Sequence, residues 1–296
     1  MATTDWDGAA FERHRPLLFS IAYRMLGSAS EAEDVVQDAW VRARQDEHAD
    51  IRSPRAYLTT IVTRLCIDHL RSAERTRMTY PGPWLPEPVA KPNQESAELA
   101  SSLTTAFLVV LERLAPTERA VFLLREVFDL DFAEIAASVG KSEANTRQIL
   151  TRARGRLRDS RPRFAVSRRE SEAIVRRFRH ACVTGDVEDL MAVLHADAEL
   201  VADGGGKAAA ATRPVLGAER ITKFMLGYAA KVHWTESDFE LVTINGAPGL
   251  LMRHPISGNG TYSFDIADGR IRAIYVVRNP DKLRGFLAQT HDGEAT

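Results

Sequence analysis

The chain has 296 residues, 45% of them hydrophobic and 27% charged, with a formal net charge of −1. This composition belongs to a folded protein long enough for two or three compact domains, and it excludes a disordered or fibrous chain. No apolar run approaches the roughly 20 residues of a membrane-spanning helix, and the opening Met-Ala-Thr-Thr-Asp-Trp-Asp lacks the order of a signal peptide, so a cytoplasmic protein without a membrane partner is expected.

From Phe11 to Arg77 the pattern is helical. Phe11, Leu18, Ile21, Ala22 and Met25 recur at three- and four-residue steps, and Gly27 stands where a helix C-terminus favours glycine. Ser28 or Ser30 caps a second helix whose first turn carries Glu31 and Glu33 at its positive end. Pro54 opens a third helix through Tyr57, Leu58, Ile61, Leu65 and Leu70. Cys66 and Cys182 sit in apolar-periodic helices and read as small buried thiols.

Pro81, Pro83, Pro86, Pro88 and Pro92 then forbid a continuous helix and favour extended chain. The expected layout is a helical domain at residues 8–77, a Pro-rich linker at 78–94, a second helical domain at 95–163 and an α+β domain at 166–290. In that last block, helices at Arg168–Thr184, Val187–His195 and Ala218–Lys231 accompany strands at Glu199–Ala202, Phe239–Asn245, Leu250–Pro255, Thr261–Ile266 and Ile271–Val277. Gly-Ala-Pro-Gly at 246–249 and Ala-Asp-Gly at 267–269 read as hairpin turns.

Residues 131–158 have the pattern of a helix-turn-helix. Phe132, Ile135, Ala136 and Val139 form one short apolar face, Gly140 makes the turn, and Ser142 caps a second helix from Glu143. The first turns of such a second helix enter the major groove. Here they offer Glu143, Asn145, Arg147 and Gln148 to base edges, with Arg152, Arg154 and the arginines that follow placed for phosphates. The alternative is an amphipathic hairpin with a solvated basic face.

Leu114-Ala-Pro-Thr-Glu-Arg-Ala-Val-Phe-Leu-Leu-Arg-Glu-Val-Phe128, Phe132-Ala-Glu-Ile-Ala136 and Thr151-Arg-Ala-Arg-Gly-Arg-Leu-Arg158 resemble region 4 of RNA polymerase sigma factors. Leu18-Phe-Ser-Ile-Ala-Tyr-Arg-Met-Leu-Gly27, Ala32-Glu-Asp-Val-Val-Gln-Asp-Ala-Trp40 and the helix from Pro54 to Arg71 resemble region 2. The two-domain layout resembles the extracytoplasmic-function group. The resemblance implies two all-α sigma domains, promoter DNA and core RNA polymerase (β′ clamp and β flap) as partners, no cofactor and no enzymatic activity. It assigns polymerase binding to Glu33, Asp34, Val36, Gln37, Asp38 and Trp40. It assigns the −10 element to Asp50, Arg52, Arg64, Arg71, Arg75 and Arg77, and the −35 element to Ser142, Glu143, Asn145, Arg147, Gln148, Arg152 and Arg154. Thr63-Arg64 departs from the Arg-Asn of many relatives, which bears on the −10 preference.

Trp84-Leu-Pro-Glu-Pro88, Asp203-Gly-Gly-Gly-Lys207 and Asn279-Pro-Asp-Lys-Leu283 resemble segments of sigma factors with a fused SnoaL-like extension, a cone of the nuclear-transport-factor-2-like type. That likeness implies a C-terminal domain modulating the sigma factor through an intramolecular contact with the linker and sigma domains. Trp84, Pro86, Asp203, Gly204, Gly205, Gly206, Lys207, Asn279, Pro280 and Asp281 are its candidate contact residues. Three successive glycines let the backbone approach another surface closely, and Trp84 between prolines reads as an aromatic plug. The tri-glycine lacks phosphate-loop spacing. His195, Asp203, His233, Trp234, His254, Tyr262 and Asp265 are candidate pocket residues, with no spacing that demands acid–base or metal chemistry. Two alternatives stand beside the sigma factor. A regulator with a sensor domain leaves residues 29–77 without a role, and a cyclase-like enzyme tethered to DNA lacks a catalytic constellation.

Overall fold

The computed structural model describes residues 8–45, 53–77, 79–90, 104–157 and 166–291. The chain forms two compact units, one of Met1–Met78 with Val110–Ser160, the other of Thr79–Val109 with Arg161–Thr296.

The first unit is helical: α1 (Gly8–Leu26), α2 (Ala29–Gln45), α3 (Pro54–Arg77), α5 (Pro116–Glu126), α6 (Phe132–Val139) and α7 (Glu143–Leu157); α4 (Thr105–Leu111) spans the division between the units. Its boundaries follow local chemistry. Gly27 at φ 71 donates its N–H to the Tyr23 carbonyl at 2.8 Å, and Ser28 Oγ accepts from the Glu31 amide at 3.2 Å to start α2. The apolar stripes of α1–α3 meet in a core including Leu18, Ile21, Leu58 and Val62. The two helical blocks, expected as separate domains, share one unit. Helices α1 and α3 pack on α5, and α3 packs on α6. Buried Arg119 donates to the Met25 carbonyl at 2.7 Å, and Thr60 Oγ1 lies 3.0 Å from Ser138 Oγ.

The second unit is α+β. Its helices are α8 (Arg168–Thr184), α9 (Val187–Val193), α10 (Ala218–Val232) and α11 (Pro280–His291). Six strands, β1 (Leu194–Asp203), β2 (Val215–Leu216), β3 (Phe239–Ile244), β4 (Ala247–His254), β5 (Gly258–Ala267) and β6 (Arg270–Val277), form a sheet in the order β2-β1-β6-β5-β4-β3. Only the β1–β6 pair is parallel. The short β2 and the helix α11 were not foreseen from the sequence. The β3–β4 turn is Asn245-Gly246, both at positive φ, and Ala247–Gly249 already belongs to the strand, so the turn lies earlier than expected.

Successive strand residues point to opposite faces, and here both faces are buried. Leu200, Ala202, Leu250, Met252, Ile274 and Val276 pack with Val175, Phe178, Ile221 and Met225 of α8 and α10. Val201, Ala273, Tyr275 and Val277 alternate with them on the other face. That second face is covered by Leu283 of α11, by Ala106, and by Leu85 from the Pro-rich segment. Double burial explains the unbroken apolar run at 274–277. Residues 79–90 of the segment expected as a linker thus belong to the second unit, with Leu85 in its core.

Candidate functional site: DNA and polymerase faces, and a buried clamp

Helix α2 carries its acidic residues on the outside. Asp34, Gln37 and Asp38 are exposed, and Glu33 is half-buried and pairs with Arg15 at 2.5 Å. Val36 is 1% exposed and belongs to the core, which corrects its assignment to a partner surface. The physical reason is helical phase: Val36 continues the Ala32–Val35–Ala39 stripe that faces inward. Trp40 is half-buried against Phe11, ring centroids 4.9 Å apart, with the Arg44 guanidinium 5.6 Å from its ring centre.

Of the residues assigned to the −10 element, Asp50 and Arg52 lie outside the described residues, as do the side chains of Arg75 and Arg77. Arg71 is exposed on α3, 3.5 Å from Asp68. Arg64 is occupied. It donates to the carbonyls of Ala137 at 2.8 Å and Ser138 at 3.2 Å, at the C-terminal end of α6. A cation there meets the unpaired carbonyls and the negative end of the helix dipole.

The helix-turn-helix is built as its residues predict. Asp131 Oδ1 accepts from the Glu134 amide at 2.8 Å, Gly140 ends α6 in the left-handed region at φ 65, and Ser142 Oγ accepts from the Asn145 amide at 3.3 Å. Ser142 therefore serves the helix start. Thr146, Ile149, Leu150, Ala153 and Leu157 are buried, which turns Glu143, Arg147, Gln148, Arg152 and Arg154 outward, with Asn145 half-buried. The Arg147 guanidinium lies 4.0 Å from the Phe132 ring centre and 3.4 Å from Glu143. A guanidinium at that distance from a ring is attracted by the ring's quadrupole. Arg154 pairs with Glu126 at 2.5 Å and Arg156 with Glu118 at 2.6 Å.

In the second unit the candidate contact residues converge on one carboxylate. Asp203, wholly buried at the end of β1, accepts from Tyr80 OH at 2.6 Å and the Gly205 amide at 3.0 Å through Oδ1. Its Oδ2 accepts from the Leu85 amide at 2.9 Å and Lys282 Nζ at 2.7 Å. Lys282 Nζ also donates to the Leu85 carbonyl at 2.5 Å and lies 4.1 Å from the Trp84 ring centre. Asn279 Nδ2 donates to Tyr80 OH at 2.9 Å. Burial first, then the Asp203 bond, pushes the Tyr80 phenol well above its ordinary range, so it stays a donor. Farther along, Asn245 and Val89 exchange two bonds of 2.9 Å, and Asn245 Nδ2 donates to Thr105 Oγ1 at 3.1 Å.

The glycines fit this contact closely. A Cβ on Gly205, at φ +57, would stand 2.2 Å from Asn279 Nδ2, and one on Gly206 would stand 2.8 Å from Pro81 Cγ. Lys207 pairs with Asp281 at the surface, Pro280 opens α11, and Pro86 is buried. The plug is Leu85, 1% exposed, while Trp84 is half-buried over Lys282. Sequence reasoning missed Tyr80, Leu85, Asn245 and Lys282 as anchors. Lys282 stands within the Asn279–Leu283 segment that carried the resemblance, and that was the available signal.

Of the candidate pocket residues, Trp234 and Tyr262 pack edge to face with ring centroids 6.4 Å apart, and Tyr262 lines a cavity. His254 Nδ1 accepts turn amides from Ile256 and Ser257, and His233 is exposed at a helix end. Burial raises the Asp265 carboxyl, with Arg272 opposing. Among the described residues no group of three or more His, Cys, Asp or Glu could hold a metal ion, and no helix is long and apolar enough to cross a membrane.

Comparison with known proteins agrees with this arrangement. Residues 10–76 match the Sigma-70 region 2 model and residues 104–157 the Sigma-70 region 4 model. The chain is 36% identical to the ECF RNA polymerase sigma factor SigJ of Mycobacterium tuberculosis, over 93% of this chain and 92% of that protein. The chain belongs to the extracytoplasmic-function (ECF) sigma factors. It is also 31% identical to a probable ECF sigma factor, SigI, of Mycobacterium tuberculosis, over 99% of this chain and all of that one. The crystal structure of Mycobacterium tuberculosis SigJ superposes with a TM-score of 0.77 at 33% identity, covering 94% of this chain and 99% of that one. As an ECF sigma factor, the protein directs promoter-dependent transcription initiation with RNA polymerase.

Proposed function

We propose that the C-terminal domain of this sigma factor controls initiation by gripping the segment that joins regions 2 and 4. The chain leaves the helical unit after Met78 and re-enters it at Val110. The described residues of the connection, 79–90 and 104–109, belong to the second unit. The observation that carries the reading is the buried Asp203–Lys282 pair closed over Tyr80 and Leu85. Elements near −10 and −35 lie about 25 base pairs, roughly 85 Å, apart along B-DNA at 3.4 Å per pair. The bonds from Thr60 and Arg64 to α6 hold regions 2 and 4 together, and both regions cannot occupy their elements while those bonds persist. The described arrangement is a resting one, and promoter binding opens it.

In this reading Glu33, Asp34, Gln37, Asp38 and Trp40 meet the β′ clamp, where an acidic face steers a basic partner and an aromatic ring anchors it. Region 4 sits on the β flap and reads −35 through Asn145, Arg147 and Gln148. Asp50, Arg52, Arg71, Arg75 and Arg77 serve −10; Arg64 joins them once released from α6. The domain acts without catalysis. Run-off transcription with core polymerase tests this. Deleting Val166–Thr296, or substituting Asp203, is expected to change promoter output several-fold at equal sigma concentration. Unchanged output from both would refute control by the grip.

A further inference from the structure

We propose that the cavity between the inner sheet face and α10 binds a small apolar carboxylate, with Arg278 as its anion-binding residue. The cavity holds about 210 Å³, below the roughly 300–1,000 Å³ of drug-sized ligand pockets, so its occupant is small. Leu200, Met225, Tyr228, Tyr262 and Val276 give it an apolar wall, and Arg278 is the charged residue among those lining it.

Arg278 is 7% exposed. Its Nη1 donates to the Ala209 carbonyl at 2.7 Å and to Tyr228 OH at 2.6 Å, and its Nη2 donates to the Ser257 carbonyl. All of these acceptors are neutral. Its Nε is buried without a hydrogen-bond partner, and it forms no ion pair among the described residues. A buried guanidinium is costly unless an anion compensates it. Lys282 in the same unit has Asp203 for that purpose; Arg278 has no such carboxylate among the described residues. A ligand carboxylate supplies the missing charge, and its hydrocarbon or ring fills the apolar remainder. A phosphate would bring a second charge and more acceptors than this wall satisfies.

The test is titration of the full-length protein by ligand-observed NMR, with benzoate and hexanoate against benzamide and hexanamide at neutral pH. The carboxylates are expected to bind at least tenfold more tightly than the amides, and Arg278→Met is expected to erase that preference. Because Arg278 also ties three segments together, a second variant guards against misfolding. Ala210→Phe fills the cavity, keeps the guanidinium, and is expected to abolish binding of both acids. Equal binding of acid and amide by the unaltered protein, an acid preference that survives Arg278→Met, acid binding that survives Ala210→Phe, or no acid binding at all overturns the proposal.

Discussion

The acidic face of α2 and the Asp203 clamp both use carboxylates, in opposite surroundings. Asp34 and Asp38 stand in water, where a charge contributes little to stability and stays free to steer a partner. Asp203 is wholly buried, and four donors from Tyr80, Leu85, Gly205 and Lys282 compensate it. The first arrangement costs the fold almost nothing and is available for binding. The second fixes structure, because a buried charge tolerates only the geometry that satisfies it. The contrast separates an exposed face open to other molecules from a contact that holds this chain together.

Substitutions on the two sides should therefore part company. Asp203→Asn leaves Lys282 buried without its counter-charge, and a loss of about 3–5 kcal/mol is expected in chemical denaturation of the second unit. A loss below 1 kcal/mol would mean the pair is dispensable and the contrast false. Arg147→Ala is expected to lower promoter affinity by about 1–3 kcal/mol while leaving stability nearly unchanged. Measured on scrambled −35 sequences, an equal loss would reassign Arg147 from base reading to phosphate contact. Asp38→Arg should leave the melting profile alone and weaken retention of core polymerase in a pull-down. Full retention would remove the α2 face from the binding account.

These two regions also differ in how readily they were read from sequence. The helix-turn-helix is written in neighbouring residues: Asp131, Gly140 and Ser142 each act within four positions, so spacing alone locates them. The strands of the second unit other than β2 were legible by alternation and by the Asp268-Gly269 turn. Val36 was misread because its acidic neighbours mark a surface, while its own helical phase turns it inward. Arg64 was assigned to the −10 element by resemblance, and nothing local reveals α6 as its partner. Most of the clamp joins residues more than 100 positions apart, such as Tyr80 with Asp203 and Asn245 with Val89. The family resemblance pointed to Asp203 and Asn279. Only packing could choose Leu85 over Trp84 as the buried anchor, because both are apolar and adjacent between prolines.

Amide hydrogen exchange across residues 79–90 of the intact protein is the most direct test of the grip. The Leu85 and Val89 amides, bonded to Asp203 and Asn245, are predicted to exchange at least a hundredfold more slowly than in a free peptide. Asp203→Asn should speed the Leu85 amide more than the Val89 amide. Exchange of both amides at the free-peptide rate in the unaltered protein would contradict the account.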